Sequence, residues 1–253
     1  AVERDELSLV YQSQVELRTK RVKGAEALMR WRNPELGDVP TQEFIPLAEE
    51  TGFIQEVGAW VLKRACADAM RFNKVQPTGM AVNISASQFR QPDRLLSGVR
   101  GALQESGLQP RLLTLEVKES LLLEDLAETR PALNELRALG VRLAIDDFGT
   151  GYSALSYLRR FSFDVLKIDG SFMQDVLVFR EDAALTQALL AMAEALGLEV
   201  IAEGVEDAAQ MTFLRTNGCP LAQGYYFGVP MVAEELLQLL ESNAGVLKLV
   251  QSS

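Results

Sequence analysis

The chain has 253 residues, of which 48% are apolar, with a formal charge of −10 and no histidine. That composition supports a sizeable core in one large domain or two small ones. It excludes imidazole-based zinc sites, Ser-His-Asp triads and Cys-His pairs, and the acidic balance excludes a groove for polymeric nucleic acid, which needs a basic stripe.

Any metal site must therefore be built from oxygen ligands, which suits magnesium, manganese or calcium. Bound metals would reverse the local field, so an anionic small ligand stays compatible with the acidic charge. No run of about 18 apolar residues crosses the sequence, so no membrane segment is expected. The two cysteines, Cys66 and Cys219, lack metal-ligand spacing and read as free thiols of a reducing compartment. With no signal peptide and no Met at the start, the expectation is a cytoplasmic chain, one domain over residues 1–253, a module cut from a longer protein.

In chain order, short apolar runs occur at Leu7–Val15, Val22–Trp31, Met80–Ile84, Leu112–Val117, Val141–Ile145, Phe163–Ile168, Leu198–Ala202 and Leu221–Gln223. These are eight candidate strands. The stretch Phe53–Phe72 places apolar residues at Ile54, Val57, Val61, Leu62, Ala65 and Ala69, which is helical spacing. Ala183–Leu196 and Glu234–Leu240 read the same way. Gly140, Gly197 and Gly218 each follow a helical stretch and precede a strand, where helix C-terminal caps belong. Only Glu16–Arg21 separates the first two runs, too short for a crossover helix, so that pair must be antiparallel. The remaining strands are helix-separated and parallel. The pattern predicts an α/β fold, a (β/α)8 TIM-type barrel with one antiparallel strand, with an open doubly wound sheet as the competitor.

Six successive parallel strands end on a polar or charged residue: Asn83, Glu116, Asp146-Asp147, Lys167, Glu203 and Gln223. C-terminal strand ends form the active-site face of such a barrel. Alternation puts Thr114 with Glu116, Ala144 with Asp146 and Ala81 with Asn83, so the small or polar set faces inward. On the second strand, Glu26, Leu28 and Arg30 share one face, offering a carboxylate, an apolar contact and a guanidinium in a row. One strand-end carboxylate is more often a helix cap than a ligand; the coincidence across six strands carries the reading. Carboxylates converging in one mouth would take up protons unless cations relieve them. Glu26, Asn83, Glu116, Asp146, Asp147 and Glu203 could supply oxygens for two divalent ions, the arrangement used for phosphodiester cleavage. Lys167 lies where a cation can orient a water or help remove its proton. The run Gly149-Thr-Gly151-Tyr-Ser-Ala154, with Asp169 beyond it, matches a dinucleotide-binding fingerprint. The two carboxylates directly before it would repel a pyrophosphate, and that reading leaves Glu26, Glu116 and Glu203 without a role.

The sequence also resembles the EAL domains, through Gly24-Ala-Glu-Ala-Leu-Met-Arg-Trp31, Phe44-Ile-Pro-Leu-Ala-Glu49, Val82-Asn-Ile-Ser85, Asp146-Asp-Phe-Gly-Thr-Gly-Tyr-Ser153, Leu166-Lys-Ile-Asp169, Ala202-Glu-Gly-Val-Glu206 and Gln223-Gly-Tyr-Tyr226. The resemblance implies hydrolysis of cyclic di-GMP to linear pGpG with two divalent cations, Mg2+ or Mn2+. The alternative is a non-catalytic cyclic di-GMP receptor. It further implies metal ligation by Glu26, Asn83, Glu116, Asp146, Asp147 and Glu203. Lys167 would hold or deprotonate the nucleophilic water, with Glu206 as its acidic supporter. Gln223 would hold the water network or substrate, Leu28 and Arg30 would touch guanine and phosphate, and Gln12, Phe227 and Pro230 would lie at the ligand's edge. The segment Asp147–Ser153, supported by Glu119, would couple the site to a homodimer interface, and sensor or GGDEF-type domains would flank the module. Two positions depart from the family pattern: Lys118 stands where threonine is usual, and Ser13 where proline is usual.

Overall fold

The computed structural model describes residues 1–123, 129–149, 158 and 161–242. Among these, nine strands form one sheet: β1 (Leu7–Glu16), β2 (Val22–Asn33), β3 (Gly37–Val39), β4 (Gly79–Ile84), β5 (Leu113–Lys118), β6 (Arg142–Phe148), β7 (Val165–Ile168), β8 (Glu199–Ala202) and β9 (Leu221–Ala222). Their order is β1-β9-β8-β7-β6-β5-β4-β2-β3, and β1 also pairs with β2, which closes eight of them into a barrel. Strand β1 runs antiparallel to both β2 and β9, whereas the pairs from β2 through β4 to β9 are parallel. The barrel with one reversed strand is the predicted architecture, and the open sheet is excluded.

Each predicted strand is present, with ends moved by up to three residues. The ninth, β3, was not anticipated. It is three residues long and extends β2 as a hairpin outside the barrel, its turn held by Asn33 Oδ1, which accepts from the backbone N–H groups of Glu35 and Leu36. So short a strand leaves no hydrophobic period to read.

Alternation on β1 explains how the wall is built. Leu7, Leu9, Tyr11, Ser13 and Val15 form one set, Gln12, Gln14 and Glu16 the other. Tyr11 of the first set packs edge-on against Phe72 at 5.4 Å between ring centroids, and its hydroxyl donates to Asp68 at 2.8 Å. Phe72 and Asp68 belong to the helix Ile54–Asn73, whose buried face includes Val57, Val61, Leu62, Ala65 and Ala69. Asp68 also accepts from Arg64 and Arg71, both at 2.9 Å, so its buried charge is compensated. Arg71 reaches on to Glu234 at 3.0 Å and ties in the helix Ala233–Ser242. The second β1 set turns inward, where Gln12 meets Gln223 from the other side of the closure.

The barrel interior holds a compact apolar layer of Ala144, Val165, Ile201 and Leu221, separate from the main core under the helices. They come from the four neighbouring strands β6 to β9, one from each. Two residues further along the chain from each of these lie Asp146, Lys167, Glu203 and Gln223 of the site. The three predicted cap glycines, Gly140, Gly197 and Gly218, all have left-handed backbone, with φ of 88°, 70° and 80°. No helix among the described residues is long and apolar enough to cross a membrane.

Candidate active site

The C-terminal mouth of the barrel gathers the predicted polar strand ends around one lysine. Lys167, on β7, has its Nζ 2.8 Å from Glu116, 2.9 Å from Glu203, 3.0 Å from Asp146 and 3.5 Å from Glu26. Its side chain is 1% exposed. Four carboxylates from β2, β5, β6 and the end of β8 thus share a single ammonium. Glu26 is further gripped: Gln223 Nε2 donates to one of its oxygens at 2.6 Å and Asn83 Nδ2 to the other at 2.7 Å. Gln223 Nε2 also donates to Gln12 at 3.1 Å, so β1, β2 and the end of β9 meet in one chain of hydrogen bonds.

Asp146 and Asp147 are neighbours, and regular alternation would send them to opposite faces. The β6–β7 register shifts between Ile145 and Phe148, and Asp147 has φ of 54°. This irregularity turns Asp147 back toward its neighbour. Oxygens of Asp146, Asp147 and Glu203 consequently lie within 4.8 Å of one another. A left-handed backbone at a non-glycine residue is uncommon, and such strain concentrates at functional sites. The turn is fixed by Glu119, a buried carboxylate that accepts from the Gly149 backbone N–H at 2.9 Å. Asp147 itself accepts from Lys118 Nζ at 2.8 Å. Residues 150–153 of the predicted coupling segment, and most of the run resembling a dinucleotide fingerprint, lie outside the described residues.

Burial dominates the electrostatics of this cluster. It pushes Glu203 up to about 7, and it holds Glu116 well above and Asp146 above the usual carboxylate range. Glu26 moves the other way despite its burial, because the Lys167 charge and the donors Gln223 and Asn83 favour its ionised form. The carboxylates around it hold Lys167 firmly as an ammonium, overcoming its own burial. One ammonium does not balance the four carboxylates around it, three of them buried, and among the described residues Glu116 Oε1 and Gln223 Oε1 are buried without a hydrogen-bond partner. An oxygen-only donor set with surplus negative charge and open acceptor atoms fits divalent cations of the magnesium or manganese kind.

A cavity of about 400 Å³ opens beside this cluster, lined by Gln12, Glu26, Glu203, Glu206, Gln223 and Tyr225 together with Gly170, Gly204 and Gly224. The glycines are there for closeness. A Cβ on Gly224 would sit 2.2 Å from the Val205 carbonyl oxygen, and one on Gly204 would sit 2.8 Å from Gly170 Cα. Glu206 is exposed at this mouth, and its backbone N–H is held by Gln210 at 2.7 Å. Gln12 donates weakly to the Gly228 carbonyl at 3.4 Å. Phe227 is buried against Tyr226, 5.2 Å between centroids, and Pro230 is half-buried nearby in sequence. Leu28 is half-buried and Arg30 exposed, the latter donating to the Met29 carbonyl at 2.8 Å. Leu28 and Arg30 are thus on the same strand as Glu26 but outside the carboxylate cluster.

Sequence reasoning did not foresee one support. The Ser85 hydroxyl, two residues past Asn83, donates to Glu49 on the helix Thr41–Glu50. This contact ties that helix to the end of β4. A second cavity, about 320 Å³, opens at the opposite end of the barrel among Gln14, Glu16, Lys23, Arg111, Arg142 and Glu199, whose charges offset one another; Arg142 pairs with Glu199 at 2.7 Å.

The EAL domain family matches residues 1–230. The chain belongs to the EAL domain family. It is 43% identical over 244 residues to the cyclic di-GMP phosphodiesterase NbdA of Pseudomonas aeruginosa, covering 96% of this chain and 31% of that protein. It is 42% identical over 239 residues to the bifunctional diguanylate cyclase/cyclic di-GMP phosphodiesterase MucR of the same species, covering 94% and 35%. The chain therefore spans about a third of the length of these curated relatives. Among solved structures, the MucR phosphodiesterase in complex with c-di-GMP superposes with a TM-score of 0.87 at 42% identity, covering 93% of this chain and 96% of that one. The FimX EAL domain of Pseudomonas aeruginosa, bound to c-di-GMP, gives 0.83 at 27% identity, covering 91% and 93%. The EAL triplet is Glu26-Ala27-Leu28 here, and its glutamate is the residue held between Gln223 and Asn83.

Proposed function

We propose that this EAL domain hydrolyses one phosphodiester bond of cyclic di-GMP, giving linear pGpG, with two divalent cations, Mg2+ or Mn2+. The observation that carries the reading is the crowding of Glu26, Glu116, Asp146 and Glu203 around Lys167, with Asp147 turned in beside them. Such a cluster is costly without cations. Glu26, Asn83, Glu116, Asp146, Asp147 and Glu203 would hold the metals. When bound, the cations lower the pKa of a water and stabilise charge developing on the phosphoryl oxygens. Lys167, as an ammonium, orients the attacking water by donating a hydrogen bond, and Glu206 supports it from the mouth. Gln12 and Gln223 fix Glu26 and border the cavity that would take the dinucleotide, with Leu28, Arg30, Phe227 and Pro230 toward its edge.

The relatives' greater length supports a module within a longer signalling protein, and the resemblance adds a homodimer. Turnover tests the reading. Purified protein given Mg2+ or Mn2+ and cyclic di-GMP should yield pGpG, and Glu26→Ala should abolish it. Retained turnover in Glu26→Ala would remove the metal assignment.

A further inference from the structure

We propose that Lys118 sets the metal affinity of this centre, acting as a tethered cation on Asp147 that an incoming divalent ion must displace. The inference deepens the metal-dependent reading above and rests on it. Lys118 is the last residue of β5 and stands in register with Asp146 on β6. It shares a face with Glu116 two residues earlier, so its side chain rises at the rim of the same mouth. Its Nζ lies 2.8 Å from Asp147 Oδ2, on the carboxylate whose oxygens cluster with those of Asp146 and Glu203. An ammonium occupying a carboxylate oxygen takes lone pairs that a metal would use.

The exposure of the two partners decides what kind of contact this is. Lys118 is 66% exposed and Asp147 33%, whereas Lys167 is 1% exposed within the same cluster. An exposed ion pair is weakly held and screened by salt. Lys118 therefore yields to a divalent ion instead of excluding it. Its unit charge stays tethered beside the site, and like charges repel. The turn does not depend on Lys118, because the adjacent Glu119 holds the Gly149 backbone N–H from the buried side. The last residue of β5 and the residue after it thus divide the work: Glu119 fixes the backbone of the turn, and Lys118 competes for its carboxylate.

Mn2+ binding without substrate, followed by calorimetry or by loss of the free-ion electron paramagnetic resonance signal, tests this directly. Lys118→Met should tighten Mn2+ binding about five- to tenfold at low salt. Lys118→Arg, which keeps the charge, should stay near wild type. The gap should narrow as salt is raised toward about 0.5 M, where exposed charges are screened. Equal affinity in wild type and Lys118→Met overturns the inference and leaves the metal reading standing. Weaker binding in Lys118→Met also overturns it, since Lys118 would then be organising Asp147 for the metal. No Mn2+ binding by any of the three proteins overturns both.

Discussion

The ammonium of Lys167 lies 2.8 Å from Glu116 Oε2, and neither side chain is more than 1% exposed. This pair anchors the carboxylate cluster to the barrel interior, directly above the apolar layer of Ala144, Val165, Ile201 and Leu221. Removing the cation leaves Glu116, Glu26, Asp146 and Glu203 facing one another uncompensated. In metal-free protein, Lys167→Met should cost about 3–5 kcal/mol, the scale for breaking a buried pair. Denaturant unfolding in EDTA measures this. Mn2+ should restore part of the loss, while turnover should stay at least about a hundredfold below wild type.

The same crowding predicts how stability responds to pH. Burial raises Glu203 from its ordinary 4.5 to about 7 in the folded chain. The folded state therefore binds that proton more tightly than the unfolded state does. Its contribution is full below about 4.5 and is lost as pH rises toward about 7. Glu116 and Asp146 shift in the same direction, and Glu26 opposes them. Thermal unfolding in EDTA should show stability falling between about pH 5 and 8. Saturating Mn2+ should flatten or reverse that slope. A metal-free protein that gains stability over this range would contradict the account of the cluster.

Asp147 combines a backbone demand with a chemical one, and substitution can separate them. Glycine adopts its φ of 54° without penalty. Asp147→Gly should therefore fold with stability within about 1 kcal/mol of wild type and lose turnover with its carboxylate. Asp147→Val would force a β-branched residue into that region and should lower the melting temperature as well. Comparing the two variants by calorimetry and turnover assay distinguishes the roles.

Most of the barrel was legible because its signals are local and repeated. Short apolar runs alternate with helical spacing, Gly140, Gly197 and Gly218 mark helix ends, and Glu16–Arg21 is too short for a crossover. The inward set of the site followed from period two at Asn83, Glu116 and Asp146. Period two failed at Asp147. The register shift that brings it to the side of Asp146 depends on pairing with β7, which no local pattern encodes. The Ser85–Glu49 contact was hidden for a related reason: its partners are 36 positions apart and meet only through the fold. β3 escaped because three residues carry no period.

Gly224 makes a sharper test of the cavity wall than any polar residue there. A methyl group at this position would sit 2.2 Å from the Val205 carbonyl oxygen, and backbone cannot swing aside as a side chain can. Gly224→Ala should cost about 1–3 kcal/mol. Because Gln223 precedes it and donates to Glu26 at 2.6 Å, turnover should also fall, with kcat more affected than KM. Unchanged stability and turnover would show that the β9 end adapts.

The central claim is that the carboxylates around Lys167 form a metal-dependent phosphodiesterase centre. The most direct measurement is chromatographic product analysis of the purified protein with cyclic di-GMP, with Mg2+ or Mn2+ and with EDTA. The account predicts pGpG with either metal and none in EDTA. Unaltered cyclic di-GMP across a metal and pH series, in a folded sample that binds the ligand, would contradict it and assign the domain to reception instead of hydrolysis.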